Sequence, residues 1–477
     1  MKRKAMTGVQ FLATFASNSA IIFLVQPVSP ATANPTAAMH TCRFSLLVAA
    51  VSVSTLAAGD WDRFRGPDGF GTAADKDVPV VFGPTNNVLW KTPIPGVGHS
   101  SPIVSKGKVF LQTASSDKKS RSLVCVDVKS GKIEWSKDVA GSSKIDWTKP
   151  LAGTSANTHG LSSHASSTPA ADGERVYTVF WDGVGLSLTA FDYSGNKLWD
   201  RDLGPFKSQH GAGHSPMVVD GRVIVNDDQD DLSEVFAFDA KTGAPAWKKS
   251  RTAYRACYTT PFVLEREGKK EVIVSSTAGI TAYDPKDGAV NWEWKWVWKP
   301  NPKSPNAKKG GSGGPLRQVG GPIFHQGMIF AISGDGGGDR HMVAIKAGTK
   351  GDVTDSALVW EKKAETAYVP MVLAHGDYVF WVTDKENKAI CVEAKTGKEM
   401  WNERLGGTAQ VTASPVLIDG KIYSINMAGK VFVYAAKPKF DLLAENDLKE
   451  DVSASPAVAD GKLYIRGEKH LFCIGKK

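Results

Sequence analysis

The chain has 477 residues, with 58 basic and 49 acidic side chains and 42% hydrophobic residues. That is the composition of a globular protein, not of a disordered or collagen-like one. The formal charge of +9 comes without a basic stripe or a recognition motif, which excludes nucleic acid as the expected partner.

Residues 1–58 read differently from the rest. Lys2, Arg3, Lys4 and Arg43 are their only charges, which leaves 54 basic against 49 acidic residues afterwards. Apolar runs cover Phe11–Val28 and, after Met39, Phe44–Leu56, and Ala57-Ala58-Gly59 follows the second. A charged start, a short apolar run and small residues predict a secretory signal, with Met39 as the true start and cleavage near Ala58. Both runs are short for a bilayer span. The expectation is a periplasmic or extracellular protein with no transmembrane span in the mature chain. Residues 59–84 read as an N-terminal extension and 85–477 as one repeat domain.

Eight segments then centre on a small residue, Gly or Val before Pro. They are Ser101-Pro102, Thr168-Pro169, Ser215-Pro216, Thr260-Pro261, Gly321-Pro322, Val369-Pro370, Ser414-Pro415 and Ser455-Pro456. A spacing near 45 residues with two insertions is that of a propeller. Inside each unit an apolar run leads to a Gly-containing turn, clearest as Asp172-Gly173, Asp220-Gly221, Asp419-Gly420 and Asp460-Gly461. Asp-Gly between apolar runs is a hairpin signal. A second strand follows, then a third centred on Cys125, Ala190, Ala237, Ala282, Ala344, Cys391, Val433 or Cys473. A second turn leads to a fourth strand carrying Trp135, Trp199, Trp247, Trp292, Trp360 or Trp401. Four antiparallel strands make one blade. The small residue is expected to let the neighbouring sheet approach, with the Trp covering that face.

The last unit stops after Ile474 with three strands. Val88-Leu89-Trp90-Lys91 has the missing form, so it is expected to complete the last blade and remove the open edges. The prediction is an all-β, eight-bladed propeller of four-stranded antiparallel blades, closed by that N-terminal strand.

Ala-Phe-Asp-Ala-Lys-Thr-Gly-Ala-Pro-Ala-Trp at 237–247 and Cys-Val-Glu-Ala-Lys-Thr-Gly-Lys-Glu-Met-Trp at 391–401 resemble the pyrroloquinoline quinone (PQQ) repeat. The resemblance covers nearly everything after about residue 85. It implies kinship with quinoprotein alcohol dehydrogenases and with the non-enzymatic outer-membrane assembly factor BamB. The opening Asp60-Trp-Asp-Arg-Phe-Arg-Gly-Pro-Asp-Gly-Phe-Gly71 is similar to exported PQQ-like proteins. The repeat implies the scaffold and does not itself bind the quinone.

The resemblance also implies that the dehydrogenases set two adjacent cysteines against the cofactor; this chain has no such pair. Cys125, Cys391 and Cys473 stand where other blades have Ala, so they are expected to be small core residues. Cys257 lies off the repeat, beside Arg255.

His99, His164 and His214 precede the Pro of blades one to three, and Arg255 and Arg317 precede those of blades four and five. The chain of a propeller enters each blade at its innermost strand. These side chains are therefore expected around one mouth of the central channel, where polar groups from several blades make a ligand site. His159, in the long connection Gly153–Ser167, is a further candidate. Asn226-Asp-Asp-Gln-Asp-Asp231 offers Asp227 and Asp228 as hard oxygen ligands for a metal, weighed against an exposed charged loop. Gly334–Arg340 offers Asp335, Arg340 and backbone N–H groups to a ligand. Trp292-Glu-Trp-Lys-Trp-Val-Trp298 and the Lys- and Pro-rich stretch to Gly314 are weighed as a sugar or partner surface against an extended outer strand.

The reading is an exported, non-enzymatic scaffold that binds proteins or a small ligand, with no cofactor expected. The alternative is a quinoprotein oxidoreductase using PQQ and Ca²⁺, with Asp227, Asp228 or Asp335 as base. A third is a carbohydrate-binding or polysaccharide-acting propeller using His164, His214 and Arg255.

Overall fold

The computed structural model describes residues 59–141, 159–230, 232–298 and 315–477. The leader, Asp231, residues 142–158 and the stretch 299–314 lie outside the described residues.

Hydrophobic alternation and tight turns build eight sheets, each around four antiparallel strands, which in seven of them follow in chain order. Blade three is representative, with Met217–Val219, Arg222–Asp228, Ser233–Asp239 and Pro245–Arg251. Its first hairpin turns on Asp220 (φ 47°) and Gly221 (φ 70°), with Val219 paired to Arg222. Two successive positive φ values define the type I′ turn that matches strand twist. Asp172-Gly173 turns differently: Ala171 pairs with Val176, and the Asp172 carboxylate accepts from the N–H groups of Glu174 and Arg175.

In six blades the small residue of the third strand meets a constraint within its own blade. It lies directly opposite the Trp of its own blade: Cys125 opposite Trp135, Ala190 opposite Trp199, Ala237 opposite Trp247, Ala282 opposite Trp292, Ala344 opposite Trp360 and Cys391 opposite Trp401. Cross-strand neighbours sit only about 5 Å apart, so a large residue there would displace the indole. Each indole then reaches the next blade. Its N–H donates to a backbone carbonyl at the third-strand end, as from Trp90 to Val128, Trp135 to Tyr193, Trp199 to Ala240, Trp247 to Pro285, Trp360 to Ala394 and Trp401 to Lys437. Trp292 departs from the rule and donates to the Glu271 carboxylate at 3.2 Å.

Val88–Pro93 pairs antiparallel with His470–Ile474, and Trp90 faces Cys473. The ring is closed by its two termini, as the sequence predicts. Blade seven has Ala444 in place of a Trp, opposite Val433. The next blade has no turn between its third and fourth strands for an indole to cover, because its fourth strand comes from the other terminus. The extension fills that junction: the N–H of Phe82 donates to Asn446, whose amide donates to the carbonyl of Val80.

The extension also crosses one end of the channel beneath the inner strands. Trp61 exchanges backbone hydrogen bonds with Val104, the carbonyl of Asp62 accepts from Ala171, and the carbonyl of Gly71 accepts from Leu417. The Arg63 guanidinium reaches the carbonyl of Pro261, and Arg65 reaches those of Val372 and Pro415. Thr72–Ala73 adds to blade seven as a parallel strand, and Asp75 accepts from Gly461 in blade eight. Inner strand edges that no neighbouring strand pairs are satisfied in this way.

Candidate functional site

The residue before each Pro is held extended, and at five junctions a hydroxyl of the following blade accepts an N–H at the blade's inner edge. Met371 N–H donates to Ser414 (3.0 Å), Ser414 to Ser455 (2.8 Å), Ser455 to Ser101 (3.0 Å), Ser101 to Thr168 (3.1 Å) and Thr168 to Ser215 (2.9 Å). The Ser and Thr before Pro, legible only as small residues, form a hydrogen-bonded belt around the channel.

Phe64 of the extension and residues from all eight blades line a cavity of about 420 Å³ at the belt. Its wall includes His99, His159, His210, Tyr258, Tyr368, Gln410 and Asp384. His159 and His210 meet edge to face at 4.9 Å. Burial, with the charge of Arg317 next, pushes His210 down to about 4. Tyr258 O–H and the Ser208 hydroxyl lie 2.7 Å apart.

Of the residues expected at the mouth, His99 lines the cavity, with its Nε2 3.6 Å from Glu468. Arg317 is 4% exposed, donates to Gln209 at 3.1 Å and pairs through its backbone with Gly334. Arg255 is half-buried and donates to the carbonyl of Pro315 at 3.4 Å. Arg340 forks onto Asp384 at 3.0 and 2.8 Å and sits 5.0 Å over the Tyr368 ring. Asp335 accepts the N–H of Asp339 and closes its own turn. His164 is buried, stacked on Trp181 at 5.1 Å. His214 is fully buried against Phe206. His210, Tyr258 and Tyr368 were not singled out by the sequence; their signal was their place in the same pre-Pro connections.

Asp227 and Asp228 continue the second strand of blade three, paired with Glu234 and Ser233. Both are buried, so the exposed-loop reading of 226–228 is corrected. Burial pushes the Asp227 carboxyl up to about 8, and Asp228 lies 3.4 Å from buried Arg251. The Trp run is also interior: Trp294 and Trp296 are buried, and Trp296 and Trp298 donate to the carbonyls of Ser276 and Thr277. Trp294 and Trp296 therefore offer no sugar platform, and the Lys- and Pro-rich stretch weighed with them lies outside the described residues. Cys125, Cys257, Cys391 and Cys473 are buried and free, and burial holds each thiol up at about 12.

Ca²⁺ takes six to eight oxygen ligands. The cavity-wall carboxylate, Asp384, is occupied by Arg340, and Asp227 and Asp228 are inside a blade. Among the described residues no group of three or more His, Cys, Asp or Glu is placed to hold a metal. Among the described residues the donor set does not fit a Ca²⁺-bound quinone.

His214 predicts a pH response. Burial alone pushes it down to about 4, against an unfolded value near 6.5. The unfolded chain binds the proton first, so this residue's linkage lowers stability as pH falls from about 6.5 towards 4, by roughly 3 kcal/mol in full. His214→Leu is expected to flatten that part of a urea-midpoint profile; an unchanged slope would refute the assignment.

Fold and site define a closed eight-bladed propeller with a hydroxyl-belted central cavity floored by its own N-terminal segment. The chain belongs to the PQQ-like repeat family: a family model described as outer membrane protein assembly factor BamB matches residues 72–150 and 144–403. No curated protein matches the chain by sequence. Among solved structures it is similar to BamB from Moraxella catarrhalis, at 14% identity and TM-score 0.54, over 81% of this chain and 98% of that one. It is also similar to quinohemoprotein alcohol dehydrogenase from Comamonas testosteroni, at 12% identity and TM-score 0.57, over 89% of this chain and 82% of that one. Saccharomyces cerevisiae Sqt1 is similar at 10% identity and TM-score 0.55, over 82% of this chain and 99% of that one. At such identities the likeness is one of fold. No helix among the described residues is long and apolar enough to cross a membrane.

Proposed function

We propose that the protein is an exported, non-catalytic binding propeller that takes a small ligand or a partner's segment in the mouth of its channel. The carrying observation is the cavity itself: the extension floors it, hydroxyls and imidazoles line it, and its carboxylate is tied to Arg340. Such a wall recognises polar groups, and its carboxylate is held by Arg340 rather than free to take a proton. Export rests on the leader and on the family's description as an outer membrane protein assembly factor.

The test is calorimetric titration of the chain from Gly59 with PQQ in Ca²⁺, alongside dye-linked alcohol oxidation. The expected result is no saturable heat and no turnover. Micromolar binding accompanied by turnover would replace this reading with the oxidoreductase one.

A further inference from the structure

Three cavity-wall side chains, His210, Tyr258 and Tyr368, come from the entries to blades three, four and six. The positive charge of Arg317 bears on all three, and that of Arg255 on His210 and Tyr368. Arg317 donates to Gln209, the chain neighbour of His210, and precedes Val319 of the same wall by two residues. Its side-chain partner Gln209 is neutral, its Nε is buried without a partner, and no carboxylate lies within ion-pair distance of it among the described residues. Nearby acids are engaged elsewhere: Asp230 accepts from Ala256, Asp335 closes its turn, and Asp384 holds Arg340. A buried guanidinium without an anion is unfavourable. The same cavity has apolar surface from Phe64, Val319, Val369 and Met371.

We propose that this wall binds the carboxylate of a small organic acid, with Arg317 and Arg255 as counter-charge, Tyr258, Tyr368 and His210 as polar partners, and the apolar residues holding its body. The inference rests on the cavity being the recognition site. A volume of about 420 Å³ is within the range that encloses a small organic molecule. Removal of an uncompensated buried charge does not weaken a fold, whereas removal of a structural arginine does. This distinguishes a ligand site from a scaffold contact.

The experiment uses the chain from Gly59 at pH 7 with naphthalene-2-carboxylate and its neutral carboxamide, followed by calorimetry. The carboxylate is expected to saturate and the amide to bind at least about tenfold more weakly, the scale of a charge-assisted hydrogen bond. Arg317→Met and Arg255→Gln are each expected to abolish most of that preference. Ligand-free Arg317→Met is expected to unfold at the same urea concentration as the parent or a higher one. Equal binding of the two probes, no saturation by either, a preference surviving both substitutions, or a lowered Arg317→Met midpoint would overturn the proposal. Should Arg317→Met not fold, that counts as the lowered midpoint. PQQ turnover would instead defeat the non-catalytic reading, whatever the naphthalene probes do.

Discussion

Replacing Arg65 by alanine is expected to destabilise the protein by about 3–5 kcal/mol, the scale for stripping the partner from buried polar groups. Arg65 is 1% exposed. It donates to the carbonyls of Pro415 (2.7 Å), Val372 (3.0 Å) and Phe70 (2.5 Å), joining blades six and seven to the extension. Its removal leaves those acceptors dry and empties a side-chain volume at the channel floor. Arg65→Met restores much of the volume without the donors, so it separates the two losses. Lysine is expected to rescue little, because a point-like ammonium does not reproduce the planar fork. Urea-unfolding midpoints read the effect; a shift below about 1 kcal/mol, the size of an ordinary surface change, would show that the extension is not part of the cooperative fold.

Gly243→Ala is expected to cost about 2–5 kcal/mol, combining about 1–2 for a left-handed alanine with overpacking. Gly243 has φ +67°, and an added Cβ would stand 2.5 Å from the Trp199 indole docked on it from the preceding blade. Gly221→Ala is the control: its φ is +70° and nothing lies within 4 Å, so it carries the backbone cost alone. Trp199→Ala is expected to cost about 3–5 kcal/mol by itself. With the indole gone, adding Gly243→Ala should cost only what Gly221→Ala costs. Additivity in this double-mutant cycle would refute the docking account.

The blades were legible because everything that makes one is local. The Asp220-Gly221 turn, the alternation through Val223–Val225 and the Trp247 strand lie within about 35 residues of each other. The pairing of Trp90 with the last blade was legible from one leftover strand form and one missing strand. Arg317 was visible as a residue before a Pro, but not as a buried charge without an ion-pair partner. That property depends on which acids come near.

Local periodicity and turn chemistry, which act over one hairpin, determined the repeat, the blade count and the closure from the sequence alone. Only the tertiary structure decided what the blades share. The belt hydroxyls are acceptors because Ser414, Ser455 and Ser101 meet across junctions up to 354 residues apart in sequence. Residues 60–75 are a channel floor because carbonyls at the inner edges of distant blades need donors. Hydrogen-bond satisfaction in a closed ring is a long-range condition, and no window of sequence contains both partners.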